Sequence, residues 1–172
     1  MGGLSVLLLS AMVAAVYYFF IAVLAVILFY TLVSYVLECF TAMRMGENLN
    51  YKVKFSAWIP FYNKYILGKI AGNKVLGGIS AIFTLANFSL CIYFYYNNRE
   101  INTSLFILLM ICVIITFIID TVISHKLFSR RINKTADILT VANVITLGIL
   151  RPIFIFAIRN KPDKTQTDTV NA

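Results

Sequence analysis

VLLLSAMVAAVYYFFIAVLAVILFYTLVSYVLECF, residues Val6 to Phe40, runs for 35 positions with one formal charge, Glu38, and neither glycine nor proline. Water solvates such a run poorly, and a bilayer solvates it well. A single helix of this length measures ~52 Å at 1.5 Å per residue, against a hydrocarbon layer of ~30 Å. Folding it into two short spans requires a turn near Tyr17 to Phe20, and Tyr-Tyr-Phe-Phe carries no turn chemistry. The expectation is therefore one long or bent helix, its N-terminal part lying at the outer interface or packing on a partner. Tyr17 to Phe20 suit interfacial depth. Ala11, Ala15, Ala22 and Ala25 follow one another at spacings of four, seven and three. They form either a small-residue face for close helix approach or plain apolar filler.

The rest of the composition agrees. Of 172 residues, 60% are hydrophobic and 13% charged, where soluble domains carry about a quarter charged. The expected fold class is an all-α integral membrane protein, a bundle of about four transmembrane helices with an overlong first helix. Residues 1–172 form a single membrane domain. Spans are expected over 6–43, 75–96, 103–124 and 138–158, with an interfacial loop at 44–74 and a polar tail at 159–172. No Lys or Arg precedes the first apolar run, so it is expected to be retained as a span rather than removed as a signal peptide. Cys39, Cys91 and Cys112 show no CxxC spacing and no clustered histidine, and are read as small hydrophobes.

A formal charge of +8 arises from 15 Lys and Arg against 7 acids. Beside apolar spans, this excess points to orientation and to anionic lipid at the cytoplasmic face, not to nucleic acid. In loop 44–74 the basic residues Lys52, Lys54, Lys64 and Lys69 interleave with the aromatics Phe55, Trp58, Phe61, Tyr62 and Tyr65. That is the composition of a segment lying in the headgroup plane. Pro60 lacks an amide donor and disfavours helical geometry at Ile59, so a short turn leading into a helix from about Phe61 is expected.

Loops 44–74 and 125–137 together hold ten Lys or Arg, whereas loop 97–102 holds Arg99 alone. The positive-inside rule places the two basic loops in the cytoplasm and the N-terminus outside. A straight crossing by 138–158 then leaves a tail containing Arg159, Lys161 and Lys164 on the outer side. The alternative is that Gly148 and the Arg151-Pro152 pair break this segment and make it re-entrant, which is tolerated where protein buries the irregular backbone.

The stretch Ala57-Trp58-Ile59-Pro60-Phe61-Tyr62-Asn63-Lys64-Tyr65, followed by Leu67-Gly68-Lys69-Ile70-Ala71-Gly72, resembles a juxtamembrane sequence of small, mostly uncharacterised multi-pass membrane proteins of Gram-positive bacteria. The resemblance covers about 16 residues. It implies a bacterial plasma-membrane protein with this motif at the cytoplasmic interface, and it implies no activity. The overlong first segment and the Arg151-Pro152 pair depart from the family's pattern.

Ionisable residues within spans cost a few kcal/mol to insert, which makes each a functional candidate. Glu38 and Asp120 lie close to the cytoplasmic ends of their spans and are expected to pair with loop lysines or arginines; a proton or cation site is the alternative. Arg151 lies ~21 Å along a straight fourth helix from the cytoplasmic face. At that height Asp120 is out of reach and Glu100 becomes the expected partner. In a re-entrant segment Arg151 is deeper, and an anion-coordinating role gains weight. Asn87, Asn143 and Thr116 are expected to make interhelical hydrogen bonds.

His125, the sole histidine, has no neighbouring nucleophile or metal-ligand motif, so no catalytic residue, cofactor or metal is expected. The expected function is a non-enzymatic accessory, assembly or immunity-type subunit that binds other membrane proteins or copies of itself. The alternative is a small transporter or channel subunit whose polar intramembrane residues line a pathway.

Overall fold

A computed structural model describes residues 2–51, 53, 55–97, 103–132 and 135–162. The element order is α1 (Gly2–Asn48), a single 3-10 turn (Ser56–Trp58), α2 (Tyr62–Ile70), α3 (Lys74–Tyr96), α4 (Thr103–Arg131), α5 (Ala136–Ile145) and α6 (Arg151–Ala157). No strand occurs among the described residues. Three helices, α1, α3 and α4, are long and apolar enough to cross a membrane. The chain divides into two compact units, Met1–Val36 and Leu37–Ala172.

In the first unit the described side chains from Leu8 to Phe29 are all exposed, including Ala11, Ala15, Ala22 and Ala25. Nothing in that stretch interrupts the helix, because it contains neither glycine nor proline.

The second unit gathers its core around α2. Ala42, Met45, Val53, Ala57, Ile66, Leu67, Ile70, Ile123, Leu127, Phe128, Ile155 and Ile158 are buried in one cluster. These residues come from the last turns of α1, the loop after it, α2, the C-terminal half of α4, and α6 with its C-cap. Along α3 and the N-terminal half of α4, by contrast, large apolar side chains such as Ile82, Phe88, Ile107 and Ile114 are exposed. Exposed apolar surface on this scale belongs in hydrocarbon rather than water.

Helix α2 begins just after Pro60, as expected, with Phe61 at its N-cap in a positive-φ conformation (φ 69°). Asn73 caps α3, its side-chain oxygen accepting from the Leu76 amide at 3.1 Å. Between these helices Gly68 and Gly77 meet backbone to backbone. A Cβ on Gly77 would lie 2.7 Å from the Tyr65 carbonyl oxygen and 2.9 Å from Gly68 Cα, so only glycine permits this approach.

The fourth apolar segment departs from the single span expected over 138–158 and breaks where the alternative placed it, at Gly148 and ahead of the Arg151-Pro152 pair. It forms two short helices, α5 of 10 residues and α6 of 7 residues. Their lengths of ~15 Å and ~10 Å both fall short of a ~30 Å hydrocarbon layer. Helix α5 ends in paired capping bonds, Gly148 N–H to Asn143 O at 2.8 Å and Leu147 N–H to Val144 O at 3.0 Å. This is the Schellman arrangement. Leu147 and Gly148 both take positive φ, 51° and 84°, and Pro152 stands in the first turn of α6, where its missing amide costs nothing. The chain then turns back. Arg131, at the end of α4, donates to the carbonyls of Arg159 and Lys161. Since Ala136 follows Arg131 by a few residues, both feet of this hairpin stand at the same end of α4.

Candidate functional site

The hairpin decides what the charged residues do. Arg151 opens α6 and points into the second unit, where its Nη1 lies 2.9 Å from Glu38 Oε1 and 2.5 Å from Asp120 Oδ2. Lys64 reaches the same two carboxylates from α2, its Nζ 2.9 Å from Glu38 Oε2 and 2.9 Å from Asp120 Oδ2. Two carboxylates thus alternate with two cations, and the formal charge of the four sums to zero.

Hydroxyls extend the network. Ser80 of α3 donates to Asp120 Oδ1 at 2.6 Å. Ser124 accepts from Arg151 Nε at 2.8 Å and donates to the Asp120 carbonyl at 2.7 Å. Glu38, Ser80, Asp120, Ser124 and Arg151 are all buried, and the Lys64 side chain is 15% exposed. Five helices, α1, α2, α3, α4 and α6, each contribute at least one member. Removing two charges from water costs several kcal/mol per ion, and only close pairing with further hydrogen bonds offsets it. The serines supply those further bonds.

Several expectations are corrected here. Arg151 pairs with Glu38 and with Asp120, which the straight-helix reading put out of its reach; Glu100, its expected partner, lies outside the described residues. The straight-helix rise that kept Arg151 from Asp120 does not apply once the segment doubles back at Gly148. Lys64, expected among the surface basics, is turned inward. Its spacing from Leu67 and Ala71, three and then four residues, places it on the buried face of α2, which was the signal available in the sequence.

Asn143, expected to make an interhelical hydrogen bond, is fully buried, yet neither its Nδ2 nor its Oδ1 has a hydrogen-bond partner. Asn87 donates to Thr116 Oγ1 at 3.0 Å across α3 and α4.

The remaining members of the basic-aromatic loop spread over its surface. Phe55 is exposed, as are Trp58 and Tyr62. The Trp58 ring meets Phe40 edge-on, Phe61 contacts Phe88, and Tyr62 lies against Tyr65. Lys69 sits 4.1 Å over the Tyr51 ring. Lys52 and Lys54 lie outside the described residues.

Beside the charged network is a cavity of about 250 Å³, whose polar lining includes Asn87, Thr116, Asp120, Asn143 and Arg151. Four of the five intramembrane polar candidates therefore lie around one space, and Glu38 is tied to it through Arg151 and, by way of Lys64, through Asp120. The arrangement is a helical unit with an internally neutralised ionic core and a polar cavity against it. No family model, curated protein or solved structure matches the chain.

Proposed function

We propose that this chain is a non-enzymatic, multi-pass protein of a bacterial plasma membrane that acts as an accessory, assembly or immunity-type subunit by binding other membrane proteins. The observation that carries this reading is the apolar stretch from Leu8 to Phe29, in which every residue is exposed. It belongs to an apolar run ~52 Å long, which exceeds a ~30 Å hydrocarbon layer by about three quarters. Mismatch of this size is relieved by tilting or by helix association. The small side chains Ala11, Ala15, Ala22 and Ala25 favour association, because they let another helix come close.

The second unit suits a scaffold. Four of its charges, Glu38, Lys64, Asp120 and Arg151, pair with one another, and Glu38 brings the last turns of α1 into that network. The proposed topology has the N-terminus outside and loops 44–74 and 125–137 in the cytoplasm. With the α5–α6 hairpin doubling back, Arg159 and Lys161 fall on the same side as those loops, which removes the conflict that a fourth crossing creates. The resemblance of residues 57–72 to proteins of Gram-positive bacteria supports the location.

Chemical cross-linking in intact cells, followed by mild-detergent purification and mass spectrometry, tests the reading. A stoichiometric membrane-protein partner or a defined homo-oligomer whose cross-links map to residues 8–29 is the expected result. A monomer with no co-purifying membrane protein overturns it.

A second reading, a small transporter or channel subunit, is favoured by one observation: Asn87, Asp120, Asn143 and Arg151 line a common cavity. Solute flux in reconstituted liposomes that is lost in Arg151→Ala would support it.

A further inference from the structure

A second cavity, of about 170 Å³, lies at the surface of the second unit between the segment after α1 and helix α2. Its polar lining is Asn50, Tyr51, Ser56, Tyr62, Tyr65 and Lys69. None of the six is buried, so a molecule in the cavity can reach them. Tyr62, Tyr65 and Lys69 follow at spacings of three and four along one face of α2. That face is roughly opposite the one that carries Lys64 and Leu67 inward.

The two lysines of α2 differ in what answers their charge. Lys64 is neutralised by Glu38 and Asp120. Lys69 makes no ion pair among the described residues, and its ammonium lies 4.1 Å over the Tyr51 ring. A ring face holds an ammonium in place without neutralising it. Lys69 is the one charged residue of the lining, where no carboxylate stands. The hydroxyls of Tyr62 and Tyr65 bond to no other described residue. A fixed cation beside free O–H donors complements an anion with several acceptor oxygens and repels an ammonium. The volume corresponds to about six waters at ~30 Å³ each, room for a phosphate group and the carbons next to it.

The surroundings choose the source of that phosphate. Phe55, next in the chain to Ser56 of the lining, is 88% exposed, and Ile59 is exposed as well. In a segment lying in the headgroup plane such side chains enter the acyl boundary. A free phosphate ion makes no use of them, whereas a lipid meets both the polar cavity and the apolar side chains beside it. We propose that this cavity is a headgroup site for one anionic phospholipid, its phosphodiester held by the Lys69 ammonium and the hydroxyls of Tyr62 and Tyr65. The site rests on the membrane placement of loop 44–74 proposed above and not on any partner of α1.

The test uses the full-length protein, extracted from the membrane fraction into mild detergent. Extraction checks the membrane location by itself, so a protein that is extracted yet shows no lipid preference sinks only this site. Native mass spectrometry then follows titration with phosphatidylglycerol, phosphatidylcholine or soluble glycerol phosphate. One phosphatidylglycerol is expected to bind at least about tenfold more tightly than phosphatidylcholine, whose own ammonium Lys69 repels, and glycerol phosphate is expected neither to bind nor to displace it. Lys69→Gln should weaken phosphatidylglycerol binding by at least about tenfold, the loss of a charge-assisted hydrogen bond. Lys74→Gln removes the same charge from an exposed position outside the lining and should leave binding nearly unchanged. Tyr62→Phe combined with Tyr65→Phe keeps both rings, removes only the hydroxyls and should weaken binding several-fold, which serves as the test if Lys69→Gln lowers the melting temperature. The proposal is overturned by equal binding of phosphatidylcholine, by glycerol phosphate binding as tightly as the lipid, by equal losses in Lys69→Gln and Lys74→Gln, or by wild-type binding in both the Lys69 and the tyrosine variants.

Discussion

Arg151 Nη1 and Glu38 Oε1 lie 2.9 Å apart although 113 positions separate the two residues in the chain. The contact joins the second half of the hairpin to the end of the first helix. Its stability consequence follows from burial more than from attraction. A buried pair contributes little net stability relative to a well-packed apolar pair, but breaking one by removing a single partner costs about 3–5 kcal/mol, because it strands the other charge.

Arg151→Leu should therefore destabilise the second unit by about 3–5 kcal/mol, as Glu38 and Asp120 would then share only Lys64. Adding Asp120→Asn restores charge balance, so the double variant should lose less than the sum of the two single changes. Denaturant unfolding in detergent, read as a double-mutant cycle, checks this. Additivity within ~0.5 kcal/mol would mean that the two side chains are not coupled.

Gly77→Ala should open the α2–α3 contact. The added Cβ meets the Tyr65 carbonyl oxygen at 2.7 Å, and backbone cannot rotate aside as a side chain can, so a loss of about 1–3 kcal/mol is expected. Gly78→Ala is the matched control, because a Cβ there meets nothing within 4 Å. Helix propensity favours that control by up to ~1 kcal/mol. Melting temperatures of the two variants should move in opposite directions.

Asn143→Leu should raise stability by about 1 kcal/mol, by removing a buried amide that has no partner. Thermal unfolding in detergent measures it. A loss of more than ~1 kcal/mol would mean that Asn143 is bonded in the folded state after all.

Sidedness tests the hairpin. In a background with Cys39, Cys91 and Cys112 replaced by serine or alanine, Asp137→Cys and Lys161→Cys should react with a membrane-impermeant maleimide from the same side. Tyr96→Cys, at the far end of α3, should react from the other. Labelling of Lys161→Cys on the Tyr96 side would show a straight crossing by the last segment.

Much of the helical content could be read from the sequence, because unbroken apolar runs such as 6–40 and 103–124 have few alternatives in hydrocarbon. The start of α2 after Pro60 was legible for an equally local reason, the missing amide of proline. Glu38, Asp120 and Arg151 were recognisable as unusual one by one, since charge within an apolar run is costly wherever the chain goes. Their partnership was not. Linear distance along an assumed straight helix put Arg151 out of reach of Asp120, and Lys64 read as one more lysine in a basic loop.

The sequence alone determined the composition of the helices and the asymmetry of charge between the loops, since both depend on local transfer energies and on counting. The tertiary structure decided where the charges meet, because that depends on a reversal at Leu147 and Gly148 whose two positive φ angles turn a run that reads as one span into a hairpin. That reversal brings Arg151 back to the carboxylates of α1 and α4. It also leaves Asn143 fully buried with its side-chain amide unbonded. Hydropathy by itself carries no information about such a turn; Gly148 and the Arg151-Pro152 pair marked where one could form, and the packing of α5 and α6 on α4 selects it over a straight helix.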